Sequence, residues 1–257
     1  MIDLKHVSKS YDGVRNAVDD LTLHIQPGEI FGFLGPNGAG KTTTLKMITG
    51  LLEPDQGEIS VNGISILDDP IEAKRSFAFV PDHPAMFLRL KGIEYLSFIA
   101  DVYGIDEATR EARIDELTTL FKIQNDLGEL IQTYSHGMQQ KLILTGALLH
   151  NPEAWLLDEP MTGLDPAASF ELKQLMRQHA DAGKTVLFST HVLEVAEKIC
   201  DRLGIIDDGK LLFVGTIDEL KANHAEDASL ESLFLRLVGA ADEDETDAVA
   251  AKLGDDA

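Results

Sequence analysis

The spacing of apolar and polar residues changes along this chain, and each change points to a different kind of structure. Residues 2–8 and 21–26 alternate, with Ile2 and Leu4, then Leu21, Leu23 and Ile25, on one side, which is the period of half-buried strands. Ser10-Tyr11-Asp12-Gly13 between them reads as a turn. Ile30-Phe31-Gly32-Phe33-Leu34 is apolar throughout and reads as a buried strand. Thr43-Thr44-Leu45-Lys46-Met47-Ile48 follows as a helix ended by Gly50. Pro54-Asp55-Gln56-Gly57 is a turn, and Glu58-Ile59-Ser60-Val61-Asn62-Gly63 is a short alternating strand closing on an Asn-Gly hairpin signal.

From Pro84 to about Asn151 the strand signals give way to helical spacing: Ile93, Leu96, Ile99 and Ala100, then Ile114, Leu117, Leu120 and Phe121, then Leu142, Ala147 and Leu148. The pattern predicts a helical subdomain, at about 84–151, inserted into a strand-bearing core. Strands return at Ala154-Trp155-Leu156-Leu157-Asp158, at residues 184–190 and at residues 203–207, separated by helical stretches near 167–180 and 192–199. That alternation predicts a parallel α/β sheet. Beyond Gly215, residues 217–222 and 230–237 read as short helices. The second carries an apolar face of Leu230, Leu233, Phe234 and Leu237 for docking on the same chain or on a twin.

Between the strand ending at Leu34 and its helix lies Gly35-Pro36-Asn37-Gly38-Ala39-Gly40-Lys41-Thr42-Thr43, which fits the phosphate-loop pattern G-x-x-x-x-G-K-[ST]. Small residues let the backbone curl so that its N–H groups point at a polyphosphate, and the helix N-terminus behind adds partial positive charge. Lys41 would reach the outer phosphates and the Thr42 hydroxyl would bind Mg²⁺. The fold class expected is therefore α/β, a P-loop NTPase core with an antiparallel β subdomain and an inserted helical subdomain. Tyr11, an aromatic just upstream of the loop, either stacks on a nucleotide base or is an ordinary turn residue; its spacing leaves both open. Leu156-Leu157-Asp158-Glu159-Pro160 describes a buried strand that delivers two carboxylates to the sheet edge where the loop lies. Asp158 would hold Mg²⁺ and Glu159 would polarise the water that attacks the terminal phosphate.

Composition narrows the partners. The chain of 257 residues, 44% hydrophobic, is long enough to bury a full core. No apolar run approaches the ~18 residues needed to cross a bilayer, and the first residues start on strand-like sequence without a signal-peptide pattern. Cys200, the lone cysteine, has no internal partner, in keeping with a reducing cytosol. With 22 Lys+Arg against 44 Asp+Glu, the net charge is −22, which argues against nucleic acid as a partner. Residues 239–257 hold seven acids and one lysine and are expected to be a disordered acidic tail. The excess that remains suits either a high-salt cytoplasm or plain solubility.

Taken together, residues 1–238 resemble the ATP-binding subunit of the ATP-binding cassette (ABC) transporters. Five motifs stand in that family's order: Walker A at 35–43, a signature region at Tyr134-Ser135-His136-Gly137-Met138, Walker B at 156–159, a D-loop at Gly163-Leu164-Asp165, and a switch histidine, His191. The resemblance implies that ATP and Mg²⁺ are bound and that Tyr11 stacks on adenine. It implies that His191 contacts the γ-phosphate beside the catalytic Glu159. It further implies a head-to-tail dimer of cassette subunits, identical or related, in which Ser135 and Gly137 cap the nucleotide of the other subunit and Asp165 lies across the interface. An integral membrane permease subunit would be the partner, placing the chain at the cytoplasmic face of the membrane.

Two departures stand out. The family's signature usually reads Leu-Ser-Gly-Gly-Gln, whereas here Tyr134, His136 and Met138 replace its leucine, first glycine and glutamine. Asp82, after the strand 77–81, stands where the family places a glutamine near Mg²⁺; its carboxylate can still bind metal but lacks an amide donor. Both features look most like exporter cassettes. A soluble cassette ATPase acting on a non-membrane complex is the alternative, although ribosome-acting relatives usually carry two cassettes and only one phosphate loop occurs here. A GTPase reading lacks an Asn-Lys-x-Asp motif.

Overall fold

The computed structural model describes residues 1–82, 87–222 and 230–239. In chain order its elements are β1 (Ile2–Ser10), β2 (Asn16–Ile25), β3 (Ile30–Leu34), α1 (Lys41–Ile48), β4 (Gln56–Val61), β5 (Ile64–Ser65), α2 (Pro70–Arg75), β6 (Phe77–Val80), α3 (Gly92–Val102), α4 (Glu107–Leu120), α5 (His136–Leu148), β7 (Ala154–Asp158), α6 (Pro166–Asp181), β8 (Thr185–Thr190), α7 (Leu193–Ile199), β9 (Arg202–Asp207), β10 (Lys210–Gly215) and α8 (Ile217–Ala222). A further helix covers 230–239. The expected acidic tail lies outside the described residues, apart from Gly239, and so does Pro84, where the helical stretch was expected to begin.

Two sheets organise the chain. One is antiparallel, in the order β2-β1-β4-β5; the other runs β10-β9-β3-β8-β7-β6. In the second sheet β3, β6, β7, β8 and β9 are parallel and only β10 pairs antiparallel, with β9. This is the α/β arrangement expected from the spacing, with the antiparallel sheet built from the alternating segments. Alternate residues of the central strands feed different cores. Trp155, Leu157, Val186 and Phe188 pack with apolar residues of α3, α4, α5 and α6. Phe31, Phe33, Leu156 and Leu187 face the other way, onto α1 and the antiparallel sheet through Leu45, Met47, Ile2 and Leu4. A strand buried on both faces loses its polar alternation, which is why these segments read as unbroken apolar runs.

Several starts differ from the expected spacing: β2 begins at Asn16 rather than Leu21, and β4 at Gln56 rather than Glu58. Helix α1 begins at Lys41 rather than Thr43, because the loop tightens directly into it. Helix α5 begins at His136, with Ser135 as its N-cap accepting the Met138 N–H at 3.3 Å. Helix α2, strand β10 and the two-residue β5 were not among the expected elements. The two apolar residues of helix α2, Ile71 and Ala73, are two apart and give no helical spacing, although Asp69 capping the Glu72 N–H and Pro70 at the first position form a start signal. Strand β10 follows Asp208-Gly209, both in left-handed conformation, which is the Asp-Gly hairpin turn.

Two histidines enter the interior as flat rings. His179 of α6, 6% exposed, stacks on Trp155 of β7 with centroids 4.0 Å apart. His150 stacks on Tyr103 at 3.6 Å, and its Nε2–H donates to the Phe77 carbonyl at 3.3 Å. Burial disfavours the charged imidazolium and pushes His179 down to about 3 and His150 down to about 4. An unfolded chain takes up these protons near pH 6.5, which the fold refuses, so stability is present above pH 6.5 and is lost as pH falls towards those values. Each ring contributes a slope of up to ~1.4 kcal/mol per pH unit within that window. Urea denaturation of the wild type and of His179→Phe should therefore give curves that converge or cross between pH 7.5 and 4.5, with the variant losing less stability. Parallel curves would show that His179 is not held neutral.

Candidate functional site

The ends of β3, β7 and β8 lie side by side, with Leu34 registered on Thr190 and Asp158 on Ser189. The loop leaving β3 is jammed between two neighbours. A Cβ on Gly40, which has φ 108°, would sit 2.5 Å from the Ala17 carbonyl oxygen, and one on Gly35 would collide with the Ile206 carbonyl. No side chain is tolerated there, whereas a Cβ on Gly38 would meet nothing within 4 Å, so the outer rim is open. The first intrahelical bond of α1 runs from the Thr44 N–H to the Gly40 carbonyl at 2.9 Å. The N–H groups of Lys41, Thr42 and Thr43 precede it and have no acceptor within the helix. Beside the open rim they form a row of donors suited to phosphate oxygens.

Lys41 is only 7% exposed, and its Nζ donates to the carbonyls of Gly35 at 2.6 Å and Pro36 at 3.1 Å. Burial pulls its ammonium pKa down, against the raising effect of Glu159 and Asp158. It stands 3.9 Å from Glu159 Oε1. Asp158, 1% exposed, uses both oxygens: the Thr42 hydroxyl donates to one at 2.9 Å and the Ser189 hydroxyl to the other at 2.5 Å. Ser189 Oγ in turn accepts the Glu159 N–H at 3.0 Å. That bond holds Glu159 in a left-handed turn, φ 47°, a conformation rare for residues with side chains. The turn aims its carboxylate at His191, whose Nδ1 lies 2.9 Å from Oε1. Such a carboxylate, 14% exposed and leaning on an imidazole, is placed to accept a proton.

A hydroxyl and a carboxylate within 2.9 Å are hard oxygen donors that fit Mg²⁺. Among the described residues no group of three or more His, Cys, Asp and Glu forms a metal cage. The pair therefore fits an ion that takes its remaining ligands from phosphate and water.

The structure thus brings together residues 35–43, Asp158, Glu159 and His191. Tyr11 joins them: it is 65% exposed and its hydroxyl lies 3.3 Å from Thr43 Oγ1, leaving a ring face open beside the loop. Asp82 follows β6, in which Val80 registers on Leu157, so it lies near the same sheet edge. Ser135 and Gly137 lie at the start of α5 and make no hydrogen bond to this group among the described residues. Asp165 caps α6 by accepting the Ala168 N–H at 2.9 Å and pairs with Lys141 of the same chain at 2.6 Å. The Lys141 hydrogen bond holds the Asp165 carboxyl below its usual range. Ser189 is the site residue that sequence reasoning passed over. Its only signal was a small polar residue closing an apolar strand directly before Thr190-His191.

The chain matches the family model described as ABC transporter over residues 18–162. It is 39% identical over 214 residues to the Nod factor export ATP-binding protein I of Burkholderia thailandensis, covering 83% of this chain and 70% of that one. The fold superposes on a structure described as the ATP-binding subunit of an ABC transporter with a TM-score of 0.88 and 36% identity, covering 92% and 99% of the two chains. It also superposes on the dimeric post-hydrolysis state of the ATP-binding cassette MJ0796 bound to ADP and Pi, with a TM-score of 0.76 and 26% identity over 84% and 99%.

Because Ser189 satisfies both a buried carboxylate and the Glu159 N–H, Ser189→Ala should lower stability by about 1–3 kcal/mol in urea denaturation. It should also slow ATP turnover several-fold while leaving the ATP concentration for half-saturation within about twofold. Unchanged stability and turnover would remove Ser189 from the site's framework.

Proposed function

The chain belongs to the ABC transporter family, as an ATP-binding and ATP-hydrolysing subunit of an ATP-driven transporter, and from that premise we propose that it powers export through a separate membrane subunit. The observation that carries the chemistry is the Glu159 carboxylate, fixed by a left-handed turn 2.9 Å from His191 and 3.9 Å from Lys41 at the mouth of the phosphate loop. Residues 1–238 act as one cassette, with the helical subdomain at about 84–151.

The N–H groups of residues 41–43 and the Lys41 ammonium bind the phosphates, and the Tyr11 ring stacks on the base. Thr42 and Asp158, with Asp82 nearby, hold Mg²⁺, which would neutralise charge building on the phosphates. Glu159 polarises the attacking water and His191 contacts the γ-phosphate. Preorganisation in a half-buried site makes these groups effective, since they need not reorganise as charge develops. Ser135, its helix N-terminus and Gly137 cap the nucleotide of a second cassette, so two nucleotides are sandwiched head to tail; the dimeric relative supports this. Closing and opening follow from unequal affinity of the two arrangements for ATP.

No described helix is long and apolar enough to cross a membrane, and a partner would supply that path. Phe87, Phe98 and Val102 expose an apolar surface on and before α3, with Phe87 edge-on to Phe98 at 5.7 Å. In this reading it meets cytosolic helices of the membrane subunit at the cytoplasmic face. The relative whose name specifies Nod factor export supports the direction.

Glu159→Gln keeps the side-chain shape and removes the carboxylate. It should cut ATP turnover by on the order of a hundredfold or more and, by light scattering with ATP present, form a stable dimer that the wild type forms only transiently. A variant that turns over ATP at the wild-type rate would remove Glu159 from the reaction. One that loses turnover yet stays monomeric with ATP would sink the sandwich.

A further inference from the structure

The start of α5 and the D-loop touch at three points within this chain. The His136 ring lies directly over Gly163: a Cβ there would come within 2.5 Å of its Cδ2 and 2.8 Å of its Nε2. A Cβ on Gly137 would come within 2.9 Å of the Gly163 carbonyl oxygen, so the two backbones are also in close approach. One turn along α5, Lys141 pairs with Asp165 at 2.6 Å. Gly163 has φ 79°, a left-handed conformation that suits glycine. From there the chain runs back to the site through two tight turns, Leu164 N–H to the Met161 carbonyl at 3.2 Å and Thr162 N–H to the Glu159 carbonyl at 3.0 Å.

We propose that His136 is a positioning residue for ATP hydrolysis: its ring fills the space that a side chain at Gly163 would need and, through the 159–164 turns, fixes the orientation of Glu159. The proposal rests on the reading of Glu159 given above. Its physical basis is short. Glu159 sits in a strained backbone well, anchored on one side by Ser189. The hydrogen-bonded turns leave little slack on the other side, so a shift at Gly163 reaches the Glu159 carbonyl within four residues. Misplacing a catalytic group by a fraction of an ångström lowers the rate of the chemical step, while the phosphate-loop contacts to the nucleotide of the same chain stay in place. The signature segment, which caps a second nucleotide in the proposed dimer, is then mechanically joined to the hydrolytic group of its own chain.

A double-mutant cycle on the full chain tests this. His136→Gly removes the ring, and Gly163→Ala puts a methyl where the ring lies. Each single variant should lower kcat roughly tenfold with KM for ATP within about twofold. In the double variant the collision is gone while the backbone strain of alanine at φ 79° is the same, so the two losses should not multiply. His136→Phe, which keeps a flat ring, should retain most of kcat. An independent readout needs no turnover: in the wild type the Gly163 α protons should be displaced in the NMR spectrum by the ring above them, and His136→Gly should return them to ordinary values. Multiplicative losses, a KM rising in step with the fall in kcat, or Gly163 signals indifferent to the loss of the ring would each overturn the proposal. Glu159→Gln run alongside separates the two readings. If it turns over ATP like the wild type, the role of Glu159 falls; if it is inactive and the cycle is multiplicative, only the positioning role of His136 falls.

Discussion

A buried carboxylate, Asp158, ties this structure together at the place where it works. An ion held away from water is unfavourable unless every oxygen is matched, and Asp158 is matched twice, by hydroxyls from Thr42 and Ser189. Those partners stand on α1 and at the end of β8, so satisfying one charge aligns the phosphate loop with the ends of two strands. Ser189 passes the constraint on by accepting the Glu159 N–H, which anchors the next residue in a backbone well that residues with side chains rarely populate. The position of the candidate base thus follows from burial of its neighbour. Both cores serve the same end, since the apolar faces of β7 and β8 clamp the strands whose tips carry these groups.

The acidic surface sharpens the question of how an anion is held. A chain with net charge −22 offers no long-range attraction to a nucleotide. At physiological ionic strength, however, exposed charges are screened beyond about 8 Å, so the local donors decide. Those donors are the N–H groups ahead of the first α1 hydrogen bond, the helix end behind them, and Lys41, whose burial makes its charge more effective and also harder to keep. Glu159 and Asp158 beside Lys41 offset part of that desolvation. An incoming phosphate would meet an ammonium already in place on the Gly35 and Pro36 carbonyls.

What could be read from the chain was local. The phosphate loop is legible because its geometry forbids side chains at positions 35 and 40, leaving a spacing of glycines in the sequence. The buried strands are legible because both faces are covered. Helix α2 was illegible because its two apolar residues, Ile71 and Ala73, lack helical spacing, whereas β10, although not expected, was legible from the apolar run 211–214 after Asp208-Gly209. Ser189 was illegible for a different reason: its role depends on register between β7 and β8, which no local pattern encodes. The same holds for Lys141 and Asp165, 24 residues apart in sequence and 2.6 Å apart in the fold.

The altered signature segment shows how such long-range matching constrains sequence. Tyr134 and His136 are bulky where the related pattern is leucine and glycine, and each lies on a glycine of another element. The Tyr134 hydroxyl, which donates to the Asp126 carbonyl at 2.6 Å, occupies the space a side chain at Gly92 would need, at the start of α3. The His136 ring occupies that space at Gly163. The segment is therefore wedged between α3, which carries part of the exposed aromatic surface, and the turn that leads to Glu159. Each wedge is a size match across the fold, large against none, so exchanging one residue alone leaves either a void or a collision. Packed interiors respond to such mismatches by discrete shifts rather than gradual yielding.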